Sequence, residues 1–288
     1  VGSEMCIRDR YNDLTTVVGS NLNSTLTTSD TIGSETLTMT GSGSVASQNF
    51  SGSAQSITLG TLSLGNGTNG GLASNYTLSG SSLTINKRPL DIDGSKIYDG
   101  NTNAADSILT ASNFATDSTT GNTETLGLSG TATISSKNAG SRTITNATSA
   151  LTLSNGSNGG LANNYTFTGG THNFTVNTRP LDVSGTRQYD GTTVASSSDL
   201  PTLSNFVGSE TVTISGNGSV NSANVANNYS VNTSGLSLVN GSNGGLAANY
   251  NLTGGTYTLD ITKRNLSLDG TRAYDNVTTV QSSELTLS

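Results

Sequence analysis

The chain says the same thing more than three times over. Asn66–Gly80, Asn155–Gly169 and Asn240–Gly254 share the pattern Asn-Gly-x-Asn-Gly-Gly-Leu-Ala-x-Asn-Tyr, and their tyrosines stand at 76, 165 and 250. A second landmark keeps nearly the same step: Tyr11-Asn12-Asp13, Tyr98-Asp99-Gly100, Tyr189-Asp190-Gly191 and Tyr274-Asp275-Asn276. A period of about 85–91 residues describes a domain rather than a supersecondary unit. The chain therefore reads as a tandem array of homologous modules: residues 11–87, 88–178 and 179–263, with the start of a fourth at 264–288.

The segment Val1–Arg10 matches nothing else in the chain. Its counterparts before Tyr98, Tyr189 and Tyr274 carry a short apolar–polar strand and a glycine, and this segment does not. It resembles the translated adapter tails found at the ends of sequenced fragments, and it is set aside from fold reasoning. The first module is accordingly expected to lack its opening strand.

Each module has a thin core. Leu, Ile, Val and Phe make up 60 of 288 residues, about 21%, just above the region where disorder is the default. The net charge of −7 is small for this length and does not drive the chain to disorder. Charged residues are 11% of the chain, well below a typical soluble enzyme. The acidic balance and the absence of Lys/Arg clusters weigh against nucleic acid or an anionic membrane as partner. The longest apolar run falls far short of a membrane span. The single cysteine, Cys6, lies in the segment set aside, so no disulfide framework holds the modules.

Within one module, β-branched and apolar residues alternate with Thr and Ser between turn residues. In the module from Arg88, strands are expected at Leu90–Ile92, 123–128, 130–134, 142–145, 151–153, 165–167 and 174–176. The 123–128 strand has clearer counterparts in Glu35–Thr40 and Glu210–Ser215. About seven short strands at this spacing are the pattern of a β-sandwich of immunoglobulin-like, antiparallel type. The fold class is all-β. Modules meet at Lys87-Arg88-Pro89, Thr178-Arg179-Pro180 and Lys263-Arg264-Asn265 with almost no linker. Proline restrains two of these joints, which predicts limited hinge motion and an extended rod.

Several recurrent residues invite a functional reading. Tyr98, Tyr189 and Tyr274, with Asp99, Asp190 and Asp275, could line a ligand groove. Repeated Asp-Gly is also turn chemistry, which favours a tyrosine packed on the core, an aspartate capping a turn, and Gly100 and Gly191 supplying positive φ. The pairs Asn75/Tyr76, Asn164/Tyr165 and Asn249/Tyr250 precede a late strand. A tyrosine there can bond back across a sandwich corner. Glu35, Glu124 and Glu210 recur once per module, as do Arg88, Arg179 and Arg264, and could pair within or between modules. No second recurrent acid accompanies each glutamate, so a paired-carboxylate site is not indicated. The single histidine, His172, occurs in one copy and excludes a repeated triad or zinc site. Asp91, Asp93 and Asp99 leave calcium open, although Ser184 replaces Asp93 in the next copy and no calcium-loop spacing appears. The Asn-Gly-x-Asn-Gly-Gly loops lack the lysine and following helix of a phosphate cradle. No catalytic, cofactor-binding or metal residue is assigned, and an enzyme is the least favoured class.

Tyr-Asp-Gly after a short Leu-rich strand, a later Gly-Leu-Ala-x-Asn-Tyr, and the closing Leu-Thr-Ile-x-Lys-Arg-Pro together resemble the YDG-type repeat modules of filamentous-haemagglutinin-like bacterial adhesins. Those modules are related to the mostly bacterial immunoglobulin-like domains. The resemblance spans residues 11–288. It departs at Asn12-Asp13 and at Asn276, where asparagine is the residue that best replaces a left-handed glycine. It implies a large, secreted, surface-anchored bacterial protein, associated with the outer membrane and acting in adhesion or as a stalk. Partners would be neighbouring modules and host glycans or surface proteins. One alternative is a module that recognises a glycan or host protein through its loops. Another is a right-handed β-helix shaft, which predicts rungs of about 20–25 residues.

Overall fold

The computed structural model describes residues 6–10, 15–18, 25–26, 31–78, 82–116 and 120–287. The Tyr11-Asn12-Asp13 motif lies outside the described residues. The chain is all-β, with short 3-10 turns and, among the described residues, a single α-turn at Ala147–Ala150.

The third repeat displays the plan. Thr202–Ser204, Asp182–Gln188, Tyr257–Thr262 and Ala226–Ser230 lie side by side in that order as one sheet. Val194–Ser196, Val212–Ser219 and Leu236–Asn240 form the other. The second repeat builds the same pair: Leu109–Ser112, Asp91–Ile97, Asn173–Asn177 and Gly140–Thr143 in one sheet, and Asn103–Ala105, Leu126–Thr133 and Leu151–Asn155 in the other. Alternation makes these strands two-faced. Asn173–Asn177 buries Phe174 and Val176 and turns its three polar residues outward. In the third repeat Val183, Ala195, Leu200, Val231, Leu259 and Ile261 meet between the sheets as one core.

Most neighbouring strands are antiparallel, as at Asp182↔Ser204 and Val212↔Asn240. Two short pairs are parallel, Arg88–Pro89 with Tyr165–Thr166 and Arg179–Pro180 with Tyr250–Asn251. The opening and closing strands of a repeat run parallel too, from Val183↔Tyr257 to Gln188↔Thr262. Both belong to the same sheet and point the same way along it, because the intervening strands absorb the reversals. A parallel partner drawn from the far end of the repeat, beside antiparallel neighbours, is incompatible with rungs of a stacked coil, and the β-helix alternative falls.

In the first repeat the opening place is taken by Cys6–Arg10, which pairs parallel with Ser82–Asn86. The sequence pattern leaves that place empty, because residues 1–10 lack the apolar–polar alternation. A ladder is made by backbone N–H and C=O groups and needs no such pattern.

The chain forms two compact units. One holds residues 1–95, 102–136 and 141–175; the other holds residues 96–101, 137–140 and 176–288. Two short pieces that belong by sequence to the second repeat, the Tyr98 turn and residues 137–140, thus pack with the third. No helix among the described residues is long and apolar enough to cross a membrane.

Candidate functional site

The second compact unit contains a buried cluster of two tyrosines and a glutamate. Its scaffold is the Asn-Gly-x-Asn-Gly-Gly loop. Asn240 Oδ1 accepts the Ala247 N–H at 2.8 Å, which starts the 3-10 turn Ala247–Asn249. Asn243, at φ 54°, donates its amide to the Ser209 carbonyl at 2.9 Å. Gly245 lies against the Thr211 backbone so closely that a Cβ would come within 1.9 Å of the carbonyl oxygen. The loop is thereby clamped beside Glu210 and delivers Tyr250 to it.

Tyr250 donates its hydroxyl to Glu210 Oε2 at 2.7 Å and accepts the Val207 N–H at 3.1 Å. Tyr98 arrives from the second repeat and donates to Glu210 Oε1, also at 2.7 Å. The two rings meet edge to face with centroids 5.6 Å apart, a favoured aromatic geometry. Phe206 meets Tyr250 in the same way at 5.7 Å. Tyr98 is fully buried, and Glu210 is 8% exposed. A carboxylate this buried costs several kcal/mol unless its oxygens are bonded, and here each takes an O–H. Burial first, then the Glu210 carboxylate, push the Tyr98 hydroxyl well above its ordinary ionisation range. Burial is also the main cause that pushes Tyr250 up to about 12. Both therefore keep their protons and remain donors. Lys137 Nζ stands 3.7 Å from Glu210 Oε1 at the half-exposed rim, where an ion pair contributes little.

A second contact lies beside the first. Asn249, 1% exposed, accepts the Ala139 N–H at 2.9 Å and donates to Asn138 Oδ1 at 3.1 Å. Asp99 shapes the turn that carries Tyr98. It accepts the Asn101 N–H at 3.1 Å and holds Lys96 Nζ at 2.9 Å. Gly100 follows at φ 80°, and a Cβ there would reach 2.6 Å from Val207 Cγ1. Glycine is required at this position twice over, for its backbone angle and for its closeness to the third repeat.

The same parts recur in the first unit. Tyr165 donates to Glu124 Oε2 and accepts the Ala115 N–H at 3.0 Å. Glu124 is fully buried. Burial and the Glu124 carboxylate push the Tyr165 hydroxyl up. Asn164, 1% exposed, accepts the Phe50 N–H at 3.0 Å and donates to Asn49 Oδ1 at 2.9 Å. Asn49 and Asn138 are separated by the same step as Tyr76 and Tyr165. In the first repeat Tyr76 donates to Glu35 Oε2 at 2.6 Å and accepts the Ile32 N–H at 3.0 Å.

The remaining predicted residues behave differently. Asp190 accepts the Thr192 N–H at 2.9 Å, which holds its carboxyl below the usual range, and Asp275 accepts the Val277 N–H at 3.1 Å. Gly191 and Asn276 stand at φ 81° and 59°, so both turns keep the left-handed step. Their tyrosines are not buried. Tyr189 is 40% exposed and Tyr274 90%. Arg88 and Arg179 hold the left-handed Asn113 and Asn205, each through the backbone oxygen at 2.7 Å. Asp91 is committed to Thr171, whose N–H and hydroxyl it accepts at 2.7 and 2.8 Å. No three acidic, histidine or cysteine side chains converge on a metal position among the described residues.

Sequence reading recognises the glutamates as recurrent but does not join them to the tyrosines. A signal exists. Glu35 precedes Tyr76 by 41 positions, Glu124 precedes Tyr165 by 41 and Glu210 precedes Tyr250 by 40. Nothing local points from Tyr98 to Glu210, 112 residues on.

The sequence pattern described as YDG domain matches residues 86–172 and again 175–259, more than half of the chain. Comparison with curated proteins and with solved structures gives no match.

Proposed function

The chain belongs to the YDG domain family, and we propose that it is the repeat region of a large bacterial surface or secreted adhesin. In this reading it works outside the cell as a stalk that projects a binding region. The observation that carries the reading is the burial of Glu210 between Tyr98 of one repeat and Tyr250 of the next. Residues that a ligand-binding module would present to solvent are here spent on holding successive repeats together. The contact lies inside one compact unit and ties the turn of one repeat to the body of the next through a fully buried ring and charged hydrogen bonds. Such a use of recurrent positions suits a spacer better than a free-standing binding module.

Two measurements test it. Spin labels on the second and third repeats of the whole chain should give a narrow distance distribution that Tyr98→Ala broadens. A broad distribution in the unaltered chain would remove the stiff-spacer reading. The whole chain should also show no saturable binding on glycan arrays or immobilised host-matrix proteins. Saturable binding, lost on substitution of the Asn155–Gly160 or Asn240–Gly245 loop, would instead favour the loop-binding alternative.

A further inference from the structure

Each Asn-Gly-x-Asn-Gly-Gly loop carries two Asn-Gly bonds, and the fold holds them unequally. Asparagine before glycine has a chemistry of its own. The glycine amide nitrogen can attack the asparagine side-chain carbonyl carbon, because no Cβ stands in its way. At the first bond both reactants are engaged. Asn240 Oδ1 accepts the Ala247 N–H at 2.8 Å, and the Gly241 N–H is donated to the Gly245 carbonyl at 3.1 Å. Asn155 and Gly156 repeat these bonds with Ala162 and Gly160, and Asn66 and Gly67 with Ala73 and Gly71.

At the second bond the attacking nitrogen is left open. The N–H groups of Gly70, Gly159 and Gly244 have no partner among the described residues, and all three glycines are exposed. The asparagine is held by one bond, and it is the same bond in every repeat. Asn69 Nδ2 donates to the Ser34 carbonyl at 2.8 Å, Asn158 to that of Thr123 at 2.9 Å and Asn243 to that of Ser209 at 2.9 Å. Each acceptor immediately precedes the glutamate that takes the tyrosine: Glu35, Glu124 or Glu210. The side-chain amide that pins the peptide before each glutamate is thus the one whose neighbouring nucleophile is unoccupied.

We propose that Asn69, Asn158 and Asn243 are sites of spontaneous deamidation, and that the reaction releases the loop from the glutamate in one direction only. The Gly244 nitrogen forms a bond to Asn243 Cγ, the Cγ–Nδ2 bond breaks, and Nδ2 leaves with the glycine proton as ammonia. A water molecule then opens the cyclic imide to aspartate or isoaspartate. Either product carries a carboxylate, which accepts hydrogen bonds and donates none. It faces the Ser209 carbonyl as a second acceptor and cannot remake the clamp. The Thr211–Ser242 hydroxyl pair at 2.8 Å stays in place, so the release is local. The chemistry stands on the loop geometry alone. Its effect on the Tyr98–Glu210–Tyr250 cluster rests on the reading of that cluster as a joint between repeats.

The two bonds of each loop supply the test. The whole chain is kept at mildly alkaline pH in water labelled with heavy oxygen, and peptide mass spectrometry follows the label into each asparagine. Asn69, Asn158 and Asn243 should convert about fivefold faster than Asn66, Asn155 and Asn240, because attack at the latter must first open one more hydrogen bond. In denaturant the six rates should converge, because the shared Asn-Gly sequence is then all that acts. Equal rates in the folded chain, a reversed order, or an order that survives in denaturant would each overturn the assignment. Asn243→Asp reproduces the product. Hydrogen exchange at the Thr211 N–H, bonded to the Ser242 carbonyl at 3.2 Å, should quicken about fivefold in this variant. Asn158→Asp gives the same readout in the other unit, at the Thr125 N–H bonded to the Ser157 carbonyl at 3.2 Å. Unchanged exchange at both would overturn the release. None of these outcomes depends on the stiffness of the stalk, which the Tyr98→Ala spin-label distances report separately.

Discussion

Glu35 and Glu210 occupy equivalent places in their repeats, yet the molecule treats them differently. Both follow a Gly-Ser pair, both precede an alternating strand, and both accept a hydroxyl from a tyrosine 41 or 40 residues on. Glu210 also takes Tyr98 from the repeat before it and is 8% exposed. Glu35 is half-buried, with Tyr76 as the hydroxyl it is given. The asparagines repeat the contrast, with Asn249 buried on Asn138-Ala139 and Asn75 in solvent. The lesson is that half of the joint is a property of one repeat. It is preassembled, and the neighbour completes it. An incoming tyrosine finds its acceptor already oriented, so little side-chain entropy is lost on docking.

The sharpest way to break the contrast is to remove the ring that completes the joint. Tyr98→Ala should cost about 3–5 kcal/mol in chemical denaturation of the whole chain, the usual loss for a fully buried aromatic. Tyr189→Ala, with the same motif and an exposed ring, should stay within about 0.5 kcal/mol. Equal costs would mean that burial of Tyr98 adds nothing.

Next in size is the carboxylate. Glu210→Gln leaves an amide that can accept through only one of its two heads, and it should cost about 1–3 kcal/mol. Glu35→Gln should cost clearly less, because water can replace the lost partner. Denaturation midpoints of the two variants, compared side by side, decide this.

Alkali should separate the same elements. Tyr250 titrates near 10.0 when unfolded and is pushed up to about 12 in the fold. A raised value means that the folded state keeps a proton that the unfolded state has lost. Its stabilisation is complete below pH 10 and falls away as pH rises towards 12, by up to about 1.4 kcal/mol per pH unit for each such tyrosine. Tyr98 shifts in the same direction. Denaturant midpoints between pH 8 and 11.5 should fall more gently in a Tyr98→Phe/Tyr250→Phe variant. An unchanged slope would remove the two hydroxyls as its cause.

The smallest difference concerns the side clasp. Asn249→Ala should cost about 1 kcal/mol, the typical net value of a buried hydrogen-bonded amide. Asn75→Ala should be close to neutral. Hydrogen exchange at the Ala139 N–H gives a local readout, with faster exchange expected in Asn249→Ala.

Much of this is legible in the chain, for reasons that differ by element. The sandwich is legible because alternation is local: Phe174 and Val176 between Asn173, Thr175 and Asn177 can face only one way. The turns are legible because Asp99-Gly100 and Asp190-Gly191 carry their own chemistry, and Asn276 shows how asparagine keeps the left-handed step. The link between Glu210 and Tyr250 is half-legible, since the spacing recurs but carries no direction. The opening strand at Cys6–Arg10 is not legible, because backbone pairing leaves no mark in a sequence without alternation.

What the amino-acid sequence settled by itself was the repeated unit, its β character and the residues of its recurrent Asp-Gly and Asn-Gly turns. All of these follow from steric and hydrogen-bonding preferences acting over a few neighbouring positions. What only the tertiary structure decided was the fate of three tyrosines that the sequence sets in nearly the same motif. Tyr98 is buried, Tyr189 partly exposed and Tyr274 open to solvent. Burial is a property of two surfaces that meet, and Tyr98 meets a carboxylate 112 residues away, a distance over which the chain's local preferences exert no pull.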